Sequence, residues 1–364
     1  MPENPDNAKF QRISDQLLDE IRQGQYEPGQ RLPSARNLAK RFGVSTVTAK
    51  RAVDQLVDAN YADAKPRGGV YLKSDGMQRL NTQTLNLIYT QYEGTQINRY
   101  LGAVAQGVKQ RNWETHTLRV RMGENEDEAV KAILSKNPSL VMLDEPPFRG
   151  PIGEVIQQAS DRVVVVDVRM DEVGVASVVR DISNMMSIIV NHLREQGHRR
   201  IGLVVDSPQL VNNREAVATW FACFADAFDR PTLERRLLTF DTPYYENPSS
   251  YAYHAVKDYL ASGHCDVTAM ICLHEDAIMG IMTALREAGL SIPQDMSLVT
   301  GGNSHLSQFS HPPMTAVDIH PENQVTSAMA MLDSLLENGP SPTRLLHYVR
   351  PSLVLRASVV CIKS

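Results

Sequence analysis

Apolar residues near the amino end recur at helical spacing as Ile13, Leu17, Leu18 and Ile21, and Gly24 followed by Pro28-Gly29 stops the run. An extended stretch over Gln30-Leu32 leads to Ser34, which predicts an N-cap for a helix of about two turns with Ala35, Leu38, Ala39 and Phe42 inward, closed by Gly43. Ser45 then predicts the cap of a third helix, whose inward stripe is Ala49, Ala52, Val53, Leu56 and Val57. Tyr61-Ala64 and Val70-Leu72 flank Lys65-Pro66-Arg67-Gly68-Gly69, the pattern of a β-hairpin with a basic, glycine-containing tip. Ser74 to Thr84 is polar and without hydrophobic period, which predicts a tether over 75–84 between a small domain, 8–74, and a large one, 85–364.

Past that tether short apolar runs alternate with amphipathic stretches. Strands are predicted at Leu85-Tyr89, Leu140-Leu143, Val163-Val168, Ile201-Val205, Met270-Leu273 and Ser297-Val299, and helices at Met185-Glu195, Val217-Phe228, Ala277-Ala288 and Gln324-Leu336. Alternating strands and helices imply parallel sheets covered on both faces, and about 280 residues of this pattern is large for one open sheet. The expected architecture is therefore α/β, with two side-by-side lobes and a cleft between them.

Composition alters this picture in one respect. The 364 residues carry a net charge of −5, yet Arg31 to Lys73 holds nine basic residues against three acidic, a balance of +6. A cationic segment on an anionic chain is either a solvated surface or the footprint of a nucleic acid. With the third helix packed by its apolar stripe, Thr46, Val47, Lys50 and Arg51 share the outward face of its first turns, the part that reads base edges in a helix-turn-helix. Arg67 and Lys65 supply charge at the hairpin tip, where Gly68 and Gly69 let the backbone approach a groove.

Pro28-Gly29-x-Arg31-Leu32-Pro33-Ser34-Ala35-Arg36-x-Leu38-Ala39, followed by Gly43-Val44-Ser45-x-x-Thr48-x-x-Arg51-Ala52, resembles the GntR winged-helix family over residues 10 to 73. That resemblance implies operator DNA as partner. It names Arg36, the polar residues of the third helix (Ser45, Thr46, Thr48, Lys50 and Arg51, beside Val47) and the wing tip, Arg67 and Gly68, as the DNA contacts. Thr46 and Lys50 both stand where many members have Arg, so the operator sequence does not carry over.

A second resemblance, over roughly 85 to 360, is to the effector domain of the lactose-repressor (LacI) family and its periplasmic sugar-binding relatives. It rests on Asp181 and Leu193-Arg194-Glu195-Gln196-Gly197-His198-Arg199-Arg200-Ile201-Gly202, on the run from Gly280 through Ala284-Leu285-Arg286-Glu287-Ala288-Gly289 to Val299, on Pro312-Pro313-Met314-Thr315, and on Arg350-Pro351-Ser352 to Ser358. It implies a periplasmic-binding-protein-like domain of two doubly wound lobes joined by three crossovers, dimerisation through that domain, and a small-molecule effector, a sugar or related metabolite, between the lobes. His274-Glu275 stands where an Asn-Asp pair is common, and Gly301-Gly302-Asn303 where an Asp is, so the pocket has diverged. Asp181, Arg214, Glu275, Asp276 and Asn303 fall near predicted strand C-termini, where open α/β sheets bind ligands, and Tyr92 follows the first strand. These six are the expected effector contacts. Trp220 shares a helix face with Val217, Phe221 and Phe224 and reads as core.

Enzyme chemistry finds no foothold. A zincin helix opening at His274-Glu275 needs His at position 278, which is Ile278, and no phosphate loop, nucleophile elbow or dinucleotide fingerprint occurs. Cys223, Cys265, Cys272 and Cys361 lack metal-ligand spacing, so neither metal nor cofactor is expected. With no run of about 18 apolar residues, the chain reads as a cytoplasmic regulator, a repressor, acting as a homodimer without membrane contact. An alternative reading makes the large domain an oligomerisation and partner-protein platform with no small ligand.

Overall fold

A computed structural model describes residues 5–66, 68–74, 83–90, 94–120, 130, 134, 137–143, 150–243, 246–341 and 345–362. The chain separates into two compact units, residues 1–84 with 112–114, and residues 85–111 with 115–364.

The first unit is three helices and a hairpin. Helix α1 spans Pro5–Arg22, α2 Ala35–Phe42 and α3 Thr46–Asp58; strands β1, Ala62–Lys65, and β2, Gly69–Leu72, pair antiparallel with Lys65 opposite Gly69. Ser34 and Ser45 cap α2 and α3 by accepting the Asn37 and Thr48 amides, and Gly43 closes α2 in the left-handed conformation. Ile13, Leu17, Ile21, Leu38, Ala49, Ala52, Val53 and Leu56 form one core with Leu32 and Leu72. Inside it Glu20, 5% exposed, accepts hydrogen bonds from both terminal nitrogens of Arg41 and one from Tyr26 Oη at 3.2 Å. That pairing ties α1 to α2 and takes Arg41 out of the pool of free cations.

The second unit has two six-stranded sheets. In the first lobe the order is β13-β7-β6-β5-β3-β4, with β3 Thr84–Thr90, β4 Glu114–Val120, β5 Ser139–Met142, β6 Val163–Val166, β7 Ala176–Arg180 and β13 Leu346–Val349. In the second it is β14-β12-β11-β10-β8-β9, with β8 Ile201–Asp206, β9 Leu237–Phe240, β10 Ala269–Cys272, β11 Ser297–Gly301, β12 Thr315–Asp318 and β14 Ser352–Val354. Only β14 among the registered pairs of these sheets runs antiparallel. Wholly apolar strands such as Val163–Val166, buried at every position, are what two covered faces require.

In the second lobe one face carries α6, Ile182–Glu195, and α7, Val211–Phe224, around Trp220; the other carries α9, Pro248–Ala261, and α10, Ile278–Glu287, whose closest approach is at Gly280. In the first lobe α4, Thr95–Gln110, packs beside α12, Pro321–Asn338, over the sheet, while the short α5, Pro151–Gln158, joins the opposite apolar cluster. The chain changes lobe three times: between β7 and α6, between β12 and α12, and between β13 and β14. Two shorter helices, α8 Arg230–Arg236 and α11 His305–Phe309, complete the second lobe. No helix of the described residues is long and apolar enough to cross a membrane.

Candidate nucleic-acid interface and ligand cleft

On the small unit, the cap at Ser45 fixes which side of α3 faces out. Thr46, Val47, Lys50 and Arg51 are exposed, Val47 at 69%. Arg36, in the first turn of α2, and Lys50 are exposed and make no ion pair among the described residues. Arg51 departs from the simplest reading, because its guanidinium lies 4.5 Å from the Phe10 ring, so part of its surface is spent on α1.

Thr48 corrects the expectation outright. It is 6% exposed, its amide is capped by Ser45 and its hydroxyl sits 2.7 Å from Ser45 Oγ, so both polar groups serve the helix start and not a groove. Ser45 is exposed, with its oxygen committed to the same cap. At the wing, Gly68 donates to Lys65 O at 3.0 Å and accepts from Tyr71 Oη at 3.1 Å, closing a tight turn. Arg67 lies outside the described residues.

In the large unit the strand ends assemble two polar groups. The first gathers Glu275, Asp276 and Asn303, but on protein partners from across the cleft. Thr95 donates to Asp276 Oδ1 through its amide, 3.1 Å, and its hydroxyl, 3.0 Å, and Gln96 Nε2 donates to Glu275 Oε2 at 2.6 Å. Arg99 reaches Asp318 at 3.1 and 3.3 Å, Glu322 at 2.8 and 2.7 Å, and the Asn303 carbonyl at 3.2 Å. Burial pushes the Asp318 carboxyl up, but the Asn303 amide, the His320 N–H and Arg99 outweigh it and hold the group below its ordinary range.

This arrangement corrects two of the expected contacts. Glu275, 2% exposed, accepts the Ser304 and Ser307 amides at 2.8 and 3.1 Å as well as Gln96, so its carboxylate anchors the turn into α11. Asn303 is held between Asp318, 2.9 Å, and Arg356, 2.5 Å. Both side chains are consumed by the fold. Asp276 is shared with Thr95 but also borders an open recess of about 890 Å³, lined among others by Tyr89, Thr95, Asn98, Arg119 and Ser249. Asp181 caps α6 by accepting the Asn184 amide at 2.9 Å, which places it at the first crossover. Arg214 is exposed on α7, joined to neither group by any hydrogen bond or ion pair among the described residues. Tyr92 lies outside them.

The second group escaped the sequence reading. Asp167, just past β6, and Arg180, last in β7, stand 3.0 Å apart without hydrogen-bond alignment; the Asp167 side chain keeps 28% of its surface, yet its Oδ1 is buried. Tyr100, 7% exposed, has its hydroxyl buried beside Gln324, and His274 Nε2 is buried with no hydrogen-bond partner among the described residues. Burial raises the Asp167 carboxyl, against the pull of Arg180, and raises the Tyr100 phenol well above its usual range, with Asp167 adding to it. Burial also lowers the His274 imidazole, with Arg180 adding to it and Asp206 opposing. The Asp167–Arg180 pair, Tyr100 and His274 thus bring charge-coupled polar groups of both lobes together at the strand ends. One signal could have found the ion pair: Asp167 directly follows β6 and Arg180 ends β7, whereas Tyr100, inside α4, carries no such mark. The described residues contain no cluster of three or more His, Cys, Asp or Glu arranged to hold a metal ion.

Residues 9–72 match the sequence profile "Bacterial regulatory proteins, gntR family", and residues 190–359 the profile "Periplasmic binding protein-like domain". Among curated relatives, the transcriptional regulator GalR of Escherichia coli is 26% identical over 172 residues, 47% of this chain and 48% of that one. The arabinose metabolism transcriptional repressor of Geobacillus stearothermophilus is 20% identical over 364 residues, covering 96% of this chain and 97% of that one. The chain spans about half the length of the first curated relatives it matches, 48–55% of each. Among solved structures, a transcriptional regulator CelR–cellobiose complex superposes with a TM-score of 0.64 at 18% identity, over 90% of this chain and all of that one. The Escherichia coli repressor AscG gives 0.62 at 18%, over 77% and 100%.

Proposed function

Because the chain joins a GntR-type winged helix-turn-helix to a LacI-like, two-lobed effector fold, we propose that it is a sequence-specific DNA-binding transcription regulator, a repressor, governed by a small polar molecule held between the lobes. The observation that carries the DNA half is the first turns of α3: Thr46, Val47 and Lys50 stand exposed on a capped helix, with the free cation Arg36 beside them. Arg36 and Lys50 would meet phosphate and base edges, and the wing the backbone or minor groove. In this reading the protein works in the cytoplasm as a homodimer, two such units meeting a two-fold related operator.

Tyr100, Asp167, Arg180 and His274, with Asp206 and Asp276, support the effector half. A molecule rich in hydroxyls both donates to carboxylates and accepts from the phenol and guanidinium, which favours a sugar or related metabolite. Differential affinity of that molecule for two lobe arrangements is what would couple the sites. Duplexes selected from a random pool, then tested with Arg36→Glu and Lys50→Glu chains, check the DNA half; retained sequence-specific binding by both variants refutes the assignment. A thermal-shift panel of sugars and nucleosides checks the other half. Because Glu275 and Asn303 are spent within the fold, the ligand-free platform remains a specific second reading, and a panel with no stabiliser would favour it.

A further inference from the structure

Residues 29–32 lie along the free edge of the wing. Gly29 N donates to Leu72 O at 2.8 Å, Leu72 N to Gln30 O at 2.9 Å and Leu32 N to Val70 O at 2.8 Å, with Arg31 bridged to Tyr71. This short segment is thus a third strand in all but length. Alternation along it sends Leu32 into the core, 3% exposed, and Arg31 out to solvent.

A methyl added at Gly69 would stand 2.6 Å from Arg31 Nε, 2.9 Å from Nη2 and 3.1 Å from Cζ, so the guanidinium lies across the bare α-carbon of that glycine, whose φ is +100°. Opposite Gly69 in the ladder is Lys65, with its ammonium 4.5 Å from the Tyr71 ring. The acid within reach on the hairpin, Asp63, is taken by Lys73 at 3.3 Å. Two cations on strands that flank Gly69 therefore share the wing end with no carboxylate to neutralise either among the described residues, on a chain whose net charge is −5.

We propose that Arg31 is a DNA-phosphate contact, working with Lys65 as a cationic pair that seats the wing on the duplex backbone. The inference rests on the DNA-binding reading above and adds to it a residue outside α2, α3 and the wing turn. Gly69 has a stated role in it: only a residue without Cβ leaves the space in which the guanidinium is held. Arg31 gives affinity and orientation, not sequence choice, because a phosphate is the same under every base.

The test measures equilibrium binding of the full chain to its selected operator and to a random duplex, across a salt series. Arg31→Ala should lower the slope of log K against log salt by about 0.9, one released counterion, which is about fivefold in affinity near 0.15 M salt, equally on both duplexes. Arg31→Lys should keep the slope. Wild-type slope and affinity in Arg31→Ala would overturn the proposal. Loss of affinity in both variants with the slope intact would also overturn it, by making Arg31 a brace for the wing. A wild-type chain that binds no duplex would sink the DNA reading itself, and is told apart from these because no variant is then needed.

Discussion

Arg99 on α4 reaches across the cleft to Asp318 and the Asn303 carbonyl and within its own lobe to Glu322, and replacing it with Met keeps the stem while removing every charged hydrogen bond. Its pair with Glu322 is half exposed on the acid side, 49%, and such a pair contributes at most about 1 kcal/mol. The pair with Asp318 is more sheltered, 22% and 12% exposed, and breaking a well-buried pair costs about 3–5 kcal/mol. Here Asp318 would still accept from Asn303 Nδ2 and the His320 amide, so the loss for Arg99→Met is expected at about 2–3 kcal/mol. Urea unfolding followed through the transition of the large unit reads it. The pH dependence has a definite sign. Because the folded Asp318 carboxyl is held below its ordinary value, it contributes stability above the unfolded value of about 4, and that contribution fades as pH falls through the lower, folded value. Removing Arg99 lets the folded value climb, so the deficit should be full at pH 7 and shrink below about pH 4. A deficit under about 0.5 kcal/mol at pH 7, or one unchanged down to pH 3, would refute the reasoning.

Gly280→Ala should cost at least about 2 kcal/mol in urea despite the helix preference of Ala, since the new methyl would stand 1.8 Å from the Ser249 carbonyl oxygen; Gly263→Ala, with nothing within 4 Å, carries only the strain of φ +72° and should lose less. Ser45→Ala should cost about 1 kcal/mol and speed hydrogen exchange at the Thr48 amide, and an unchanged exchange rate there would mean the cap is not formed in solution.

The small unit was legible almost residue by residue because its signals are local. Ser34, Gly43 and Ser45 punctuate the helices, and the cap and turn geometry they predict is the geometry found. In the large unit, strands with continuous apolar runs were visible, whereas β4, Glu-Thr-His-Thr-Leu-Arg-Val, was not, because an edge strand exposed along most of its length carries no such run. Helix α9 was missed for a related reason, its inward positions being Ala252, Val256 and Tyr259 among many polar residues. The partners of the expected effector contacts Glu275 and Asn303 were hidden for a different cause. Whether a polar side chain at a strand end faces a ligand or a neighbour depends on what other segments bring to it: Gln96 of the first lobe to Glu275, and Asp318 and Arg356, 15 and 53 residues further on in the same lobe, to Asn303.

The late return of the chain to the first lobe has a consequence for biogenesis. Both α12 and the edge strand β13 of that lobe come from residues 321–349, after every strand of the second lobe except β14 has been made. On the ribosome the earlier-synthesised sheet must wait, one side uncovered, while its neighbour can already be closing. A stop codon near residue 320 would therefore injure the half of the protein encoded first as well as stripping β14 from the other, and fragments cut between the lobes in sequence would not correspond to the lobes in space.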